Sequence, residues 1–211
     1  MTHEHAGAAS SNDVVLVRHG ETEWSRAGKH TGRTDVPLTD QGREQAVAVR
    51  EALHGRIFAL VLTSPLARAA DTAWLSGFGD RAQTSADLQE WDYGAYEGLT
   101  TPEIREERSG WSLWSDGVPE GESPAEVGAR ADRVIAELRS AGGDALVFAH
   151  GHLLRVLTAR WLGLEPADGR RFALDPATIS VLGYERETPV VRVWNMPLKT
   201  PSPANPKARR T

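Results

Sequence analysis

The chain has 211 residues, of which 40% are hydrophobic and 25% charged, with a formal net charge of −5 and no cysteine. That length suits one domain with a substantial core, and the missing cysteines exclude disulfides, thiolate metal sites and a cysteine nucleophile. The acidic balance argues against a nucleic-acid partner, and no apolar run approaches the ~20 residues of a membrane span.

Residues 1–12 are small and polar and read as a disordered tail, and "HEH" at 3–5 within it is given no role. With no basic start followed by an apolar run, a cytoplasmic location is the default reading. "VVLV" at 14–17 is the first strand, uniformly apolar as a strand covered on both faces should be. A helix begins near Thr39 with Ala46, Val49 and Leu53 turned inward, and "ALVLT" at 59–63 is a second buried strand followed by a short helix over 68–75.

Residues 94–123 are acidic on balance, carry Trp111 and Trp114, and read as a small cap insert over a pocket. In this segment Arg105 and Arg108 are available either to a ligand in that pocket or to water. Ser123, Pro124 and Glu126 then start the clearest helix, with an N-cap, a first-turn proline and a capping box. Its Val127, Ala131, Val134, Ile135 and Leu138 fall on one face as it runs to about Ser140.

"ALVFA" at 145–149 is a third buried strand, and the helix after it spans 151–162, stopped by Gly163. "ISVLGYE" at 179–185 and "VVRVWN" at 190–195 pair as a hairpin or lie as late edge strands. From Met196 to residue 211 the Pro-rich, basic chain reads as a second disordered tail. Apolar runs alternating with helices over 13–195 predict an α/β fold, a three-layer α/β/α sandwich with a mostly parallel central sheet.

"LVRHG" ends the first strand and "VFAHG" the third, so each delivers a His-Gly to a strand's C-terminal end. In open parallel sheets that edge binds ligands. His19 and His150 meet there if both strands are central, and "TSPLARAADTA" brings Arg68 to join Arg18. Two guanidinium forks and imidazole donors match the charge and geometry of a phosphoryl group. Gly20 and Gly151 allow the backbone to come close to it.

These blocks, with "GRTDVPLTDQGREQA" and "LQEWDYGAYEGLT" in order between them, resemble the histidine phosphatase superfamily, the phosphoglycerate mutase-like group. The resemblance implies that His19 is the nucleophile that becomes phosphorylated, that Arg18, Arg68 and His150 clamp the phosphoryl oxygens, and that Glu90 is the proton donor. It also implies substrate contacts from Thr31, Gly32, Tyr93 and Gly151. Ser25 stands where the family often has Asn, a shorter side chain with a hydroxyl in place of an amide. His152 stands where mutases typically carry Asn, and either donates to substrate or faces solvent.

His30 and His54 read as structural or surface residues. His19 must be neutral at its attacking nitrogen, so its other ring nitrogen is expected to bond to a carbonyl. A partly buried Glu90 beside developing negative charge has reason for a raised pKa, which predicts an acidic optimum. No metal or other cofactor is required.

The blocks "RHGETEWS", "EWDYGAYEG" and "FAHGH" look most like the bacterial acid phosphatase and sedoheptulose bisphosphatase branch. The expected activity is that of an acid phosphatase hydrolysing a small-molecule phosphomonoester, a sugar phosphate foremost, through a phosphohistidine intermediate. Alternatives are a cofactor-dependent phosphoglycerate mutase and a noncatalytic phospho-ligand binding module. A homodimer is left open.

Overall fold

The computed structural model describes residues 12–199, so most of the two expected tails (1–12 and 196–211), with "HEH" at 3–5, lies outside the described residues. In chain order the elements are β1 (Val14–Arg18), α1 (Glu23–Arg26), α2 (Asp40–Ala52), β2 (Leu60–Thr63), α3 (Ala67–Leu75), β3 (Gln83–Thr84) and α4 (Thr101–Glu107). After them come α5 (Leu113–Asp116), α6 (Pro124–Arg139), β4 (Ala145–Ala149), α7 (Gly151–Trp161), β5 (Ile179–Glu185) and β6 (Thr188–Met196). Among the described residues no helix is long and apolar enough to cross a membrane.

The six strands form one sheet in the order β3-β2-β4-β1-β5-β6. The first four run parallel, whereas β5 pairs antiparallel with β1 and β6 antiparallel with β5. The 179–195 region is therefore a hairpin. Of these two strands β6 lies at an edge of the sheet, and β5 is paired on both sides.

Side chains alternate across the strands, and each face carries its own apolar layer. Val14 and Leu16 of β1 and Val147 of β4 pack with Val134 and Leu138 of α6 and Leu153 and Leu157 of α7. Val15, Val17 and Phe148 point the other way, against Val49 of α2 and Ala73 of α3. This double burial explains the all-apolar composition of the central strands, and it makes the fold the expected three-layer sandwich.

The helices begin where their capping residues stand. Thr39 accepts from Gly42 N at 3.0 Å. Ser123 and Glu126 complete their capping box, with Glu126 Oε2 accepting from Ser123 N at 2.8 Å. The inward face of α6 is the predicted set, with Val127, Ala131, Val134, Ile135 and Leu138 all buried. Met196 closes β6, and Leu198 beyond it packs against the α2–α3 layer.

Candidate active site

Because β1 and β4 are adjacent and parallel, with Arg18 opposite Ala149, the residues that follow them arrive together. The His19 and His150 rings lie 5.2 Å apart at the C-terminal edge of the sheet. His19 is buried, and its Nδ1 is 2.7 Å from the carbonyl oxygen of Gly20. A carbonyl only accepts, so Nδ1 carries the proton and the lone pair sits on Nε2. Burial, then the charges of Arg18 and Arg68, hold the proton affinity of His19 well below that of an ordinary imidazole.

Arg18 is held by one hydrogen bond from Nη1 to the carbonyl of Leu174. Its Nε is buried with no hydrogen-bond partner among the described residues. An unpaired buried donor is costly, about 1–3 kcal/mol or more on a charged group, and an anion bound in the cavity would relieve that cost. Gly151 lines the same space, and a Cβ there would lie 3.2 Å from the Arg18 guanidinium carbon. A side chain at 151 would push on the fork, which accounts for the glycine.

Arg68 and His150 sit behind these groups, fully buried, and are not among the residues lining the cavity. Arg68 Nε donates to His150 Nδ1 at 3.2 Å, Nη1 to Thr34 O, and Nη2 to Thr31 O and Gly32 O. Four of its five N–H groups are thus engaged, leaving one on Nη1. Since Nδ1 accepts, the His150 proton is on Nε2, which donates to Ser64 Oγ at 2.7 Å. Burial first, then Arg68, keeps His150 neutral, its pKa well below the ordinary value.

Gly32 is likewise behind the cavity. Its N–H donates to both oxygens of Glu97 at 2.9 Å. Thr34 N donates to the same carboxylate, so Glu97 sets the loop whose carbonyls in turn hold Arg68.

Glu90 lines the cavity and is anchored by backbone. Oε1 accepts from Trp91 N and Leu153 N, each at 2.9 Å, and Oε2 from His152 N at 3.0 Å. The N-cap of α7 is His150, whose side chain makes no capping bond, so a carboxylate from a distant segment takes two of the orphan N–H groups there. Arg130 of α6 braces that segment. It grips Glu122 through Nε and Nη2, both at 2.7 Å, and donates to the carbonyls of Asp87 and Gln89.

The cavity, about 220 Å³, runs outward from Arg18 and His19 past Glu90 to Lys29, Thr101 and Arg155. Tyr93 OH is 2.6 Å from His152 Nδ1. Burial, then Glu90, raises the Tyr93 phenol well above its usual value, so the hydroxyl keeps its proton and donates it to Nδ1. His152 is therefore a wall residue with its N–H at Nε2, not a solvent-facing one. Burial also lowers its pKa well below the ordinary value.

Thr31 and Ser25 also line the cavity. The Ser25 hydroxyl is occupied locally, donating to Thr22 O at 3.0 Å and accepting from Thr22 N at 2.9 Å as part of the α1 capping box. Trp111 is buried with its indole N–H on Gly117 O. Trp114 packs at 5.3 Å from the His152 ring and under Arg155. Both tryptophans pack the segment down and neither lines the cavity. Arg105 is turned to Trp111 O.

Sequence reasoning missed His30, Lys29, Thr101 and Arg155 in the wall, and Ser64, Glu97 and Arg130 in support. His30, read as structural or surface, is buried at the cavity, with Nδ1 on Leu99 O at 2.8 Å and its ring stacked 6.1 Å from His152. No local motif marks these residues. The Thr22–Ser25 box is also outside the usual S/T-x-x-E/Q signature, so the commitment of the Ser25 hydroxyl shows only in the folded turn.

Residues 14–197 match the histidine phosphatase superfamily (branch 1). The chain belongs to this family. It is 45% identical over 177 residues to an acid phosphatase of Mycobacterium tuberculosis, covering 82% of this chain and 86% of that protein. It is 37% identical over 182 residues to a sedoheptulose 1,7-bisphosphatase of Saccharomyces cerevisiae, covering 71% and 67%. Among solved structures, an open reading frame of Mycobacterium tuberculosis superposes with a TM-score of 0.84 at 42% identity, over 88% of this chain and 97% of the other.

Proposed function

We propose that this histidine phosphatase hydrolyses small phosphate esters, sugar phosphates among them, through a phosphohistidine at His19. The observation that carries the reading is the pairing of a buried neutral imidazole, oriented by Gly20, with the partnerless Nε of Arg18 at the same end of the cavity. A nucleophile and an anion donor are thereby set side by side. The acid phosphatase and sugar-bisphosphatase relatives support the phosphatase class.

His19 Nε2 attacks phosphorus as the ester P–O bond breaks, and the Glu90 carboxyl gives its proton to the departing alkoxide. Water then attacks the phosphohistidine, its proton passes to Glu90, and the P–N bond breaks to release inorganic phosphate and restore both residues. Oε2 of Glu90 carries one backbone donor against two on Oε1, and so has room for that proton.

Arg18 answers the charge on the phosphoryl oxygens, and the remaining Arg68 N–H is available to join it. His150 and Ser64 keep Arg68 in register, and residues 94–123 act as the cap. Phosphate release from a panel of esters tests the reading, with His19→Ala as control. Acid-labile, alkali-stable phosphate trapped on wild-type protein is the expected intermediate. Equal turnover by His19→Ala and wild type would rule it out.

A further inference from the structure

We propose that Asn195 is a positioning residue for the phosphoryl site, which aims the Leu174–Asp175 peptide at Arg18 from the edge strand β6. This rests on the phosphatase reading and adds to it a residue outside the cavity wall. Among the described residues Arg18 has a single hydrogen-bond acceptor, the carbonyl of Leu174, and its Nε has none. The direction of the fork therefore depends on where the 172–177 loop puts that carbonyl.

The loop is pinned at both ends. At its far end Ala177, buried and at φ 52°, donates its N–H to Arg18 O at 3.0 Å and to His19 O at 3.1 Å. A left-handed alanine is unfavourable and persists only where its surroundings fix it. This contact holds the main chain that carries both side chains, and Asn195 takes no part in it.

The near end hangs on β6. Val181 pairs with Val193 and Ile179 with Met196, so β6 has one residue more than β5 over this stretch, a bulge that contains Trp194 and Asn195. Asn195 turns there to φ 53° and its N–H donates to Ser180 Oγ at 3.0 Å. Its Oδ1 accepts from Asp175 N at 2.8 Å and its Nδ2 donates to Asp175 Oδ2 at 2.9 Å. The N–H of Asp175 and the carbonyl of Leu174 belong to one planar peptide, so fixing the first aims the second at Arg18 Nη1. Glycine would take the left-handed turn without the side-chain bonds, and an ionised aspartate would bring no donor to the Asp175 carboxylate. Asparagine answers all three demands.

The test is kcat/KM on 4-nitrophenyl phosphate and the inhibition constant of inorganic phosphate. The proteins are wild type, Asn195→Gly, Asn195→Asp, and the exchange of Asn195→Asp with Asp175→Asn, which restores a donor and an acceptor across the pair. Asn195→Gly keeps the turn, and should weaken phosphate inhibition and lower kcat/KM by about tenfold each. Asn195→Asp should lose at least as much, and the exchange should recover most of it. Placed on Arg18→Met, Asn195→Gly should lower kcat/KM by less than about twofold more, because the group it positions is gone.

Wild-type phosphate inhibition and kcat/KM in Asn195→Gly overturn the proposal while the phosphatase reading stands. The same tenfold loss on top of Arg18→Met also overturns it, since Asn195 would then act by a route other than Arg18. Should Asn195→Gly fail to fold, the exchange decides alone: recovery over Asn195→Asp supports the proposal, and no recovery overturns it. A wild type that neither hydrolyses the ester nor binds phosphate overturns both readings.

Discussion

The carboxylate of Glu90 accepts the backbone N–H of Leu153 at 2.9 Å, across 63 positions of sequence. With the neighbouring bond from His152 N, it makes the proposed proton carrier the N-terminal cap of α7 as well. The histidine that heads this helix is thereby left to Arg68 and Ser64. Glu90→Ala is expected to lose about 1–2 kcal/mol of stability, the usual worth of a cap. Glu90→Gln keeps an acceptor oxygen and should unfold closer to wild type. Both should lose roughly 100-fold or more in kcat. Thermal unfolding beside steady-state kinetics separates the two roles, and two equally unstable variants would contradict the capping role.

Acid should not switch off the nucleophile. Desolvation and the neighbouring Arg18 and Arg68 charges lower the His19 pKa, so the imidazole stays neutral well below its ordinary titration range. The kcat/KM profile is expected to show no fall with an apparent pKa near ~6.5 on acidification. An acid limb centred there would show that His19 titrates like an exposed imidazole.

Stability should move the other way. His19, His150 and His152 all have folded-state pKa values well below the unfolded one, mainly through burial. Below about pH 6.5 the unfolded chain binds protons that the folded chain refuses, so stability is complete above that pH and declines as pH falls. Each histidine contributes up to ~1.4 kcal/mol per pH unit while only its unfolded form is protonated. Melting temperatures measured in phosphate-free buffer from about pH 7.5 down to about pH 5 check the slope. A flat profile would exclude burial of three neutral imidazoles.

Gly151→Ala should damage phosphoryl binding more than folding. The new Cβ would stand 3.2 Å from Arg18 Cζ and 3.3 Å from Nε, close enough to shift the fork by a few tenths of an ångström. Alignment errors of that kind lower kcat/KM by roughly tenfold or more. Kinetics and unfolding of Gly151→Ala should therefore diverge, and near-wild-type kinetics would mean that Arg18 adjusts freely.

Isomerisation of 3-phosphoglycerate should not be detectable, even with saturating 2,3-bisphosphoglycerate. A mutase must hold a doubly phosphorylated intermediate while it turns over, which calls for more basic groups around the closed site. The 94–123 segment contributes Thr101 to the cavity and turns Arg105 away to Trp111. Coupled assay of 2-phosphoglycerate formation decides this.

The sequence already carried the sandwich, because interior parallel strands lose water on both faces and must be apolar at every position, a pattern visible in "VVLV" and "ALVFA". It also determined which helices start where, since Thr39 and Ser123 act within their own turn. His19, His150, Arg18 and Glu90 were legible because each sits in a local block next to a strand or turn that carries it. Which side chains face the cavity came from the packing of the folded chain. It set Arg68 and His150 behind the wall, and it brought His30, Lys29 and Arg155 into it from segments with no motif of their own. The reason is physical: a cap acts over three residues and a strand over five, whereas a cavity wall is assembled from loops whose approach depends on the packing of the whole chain.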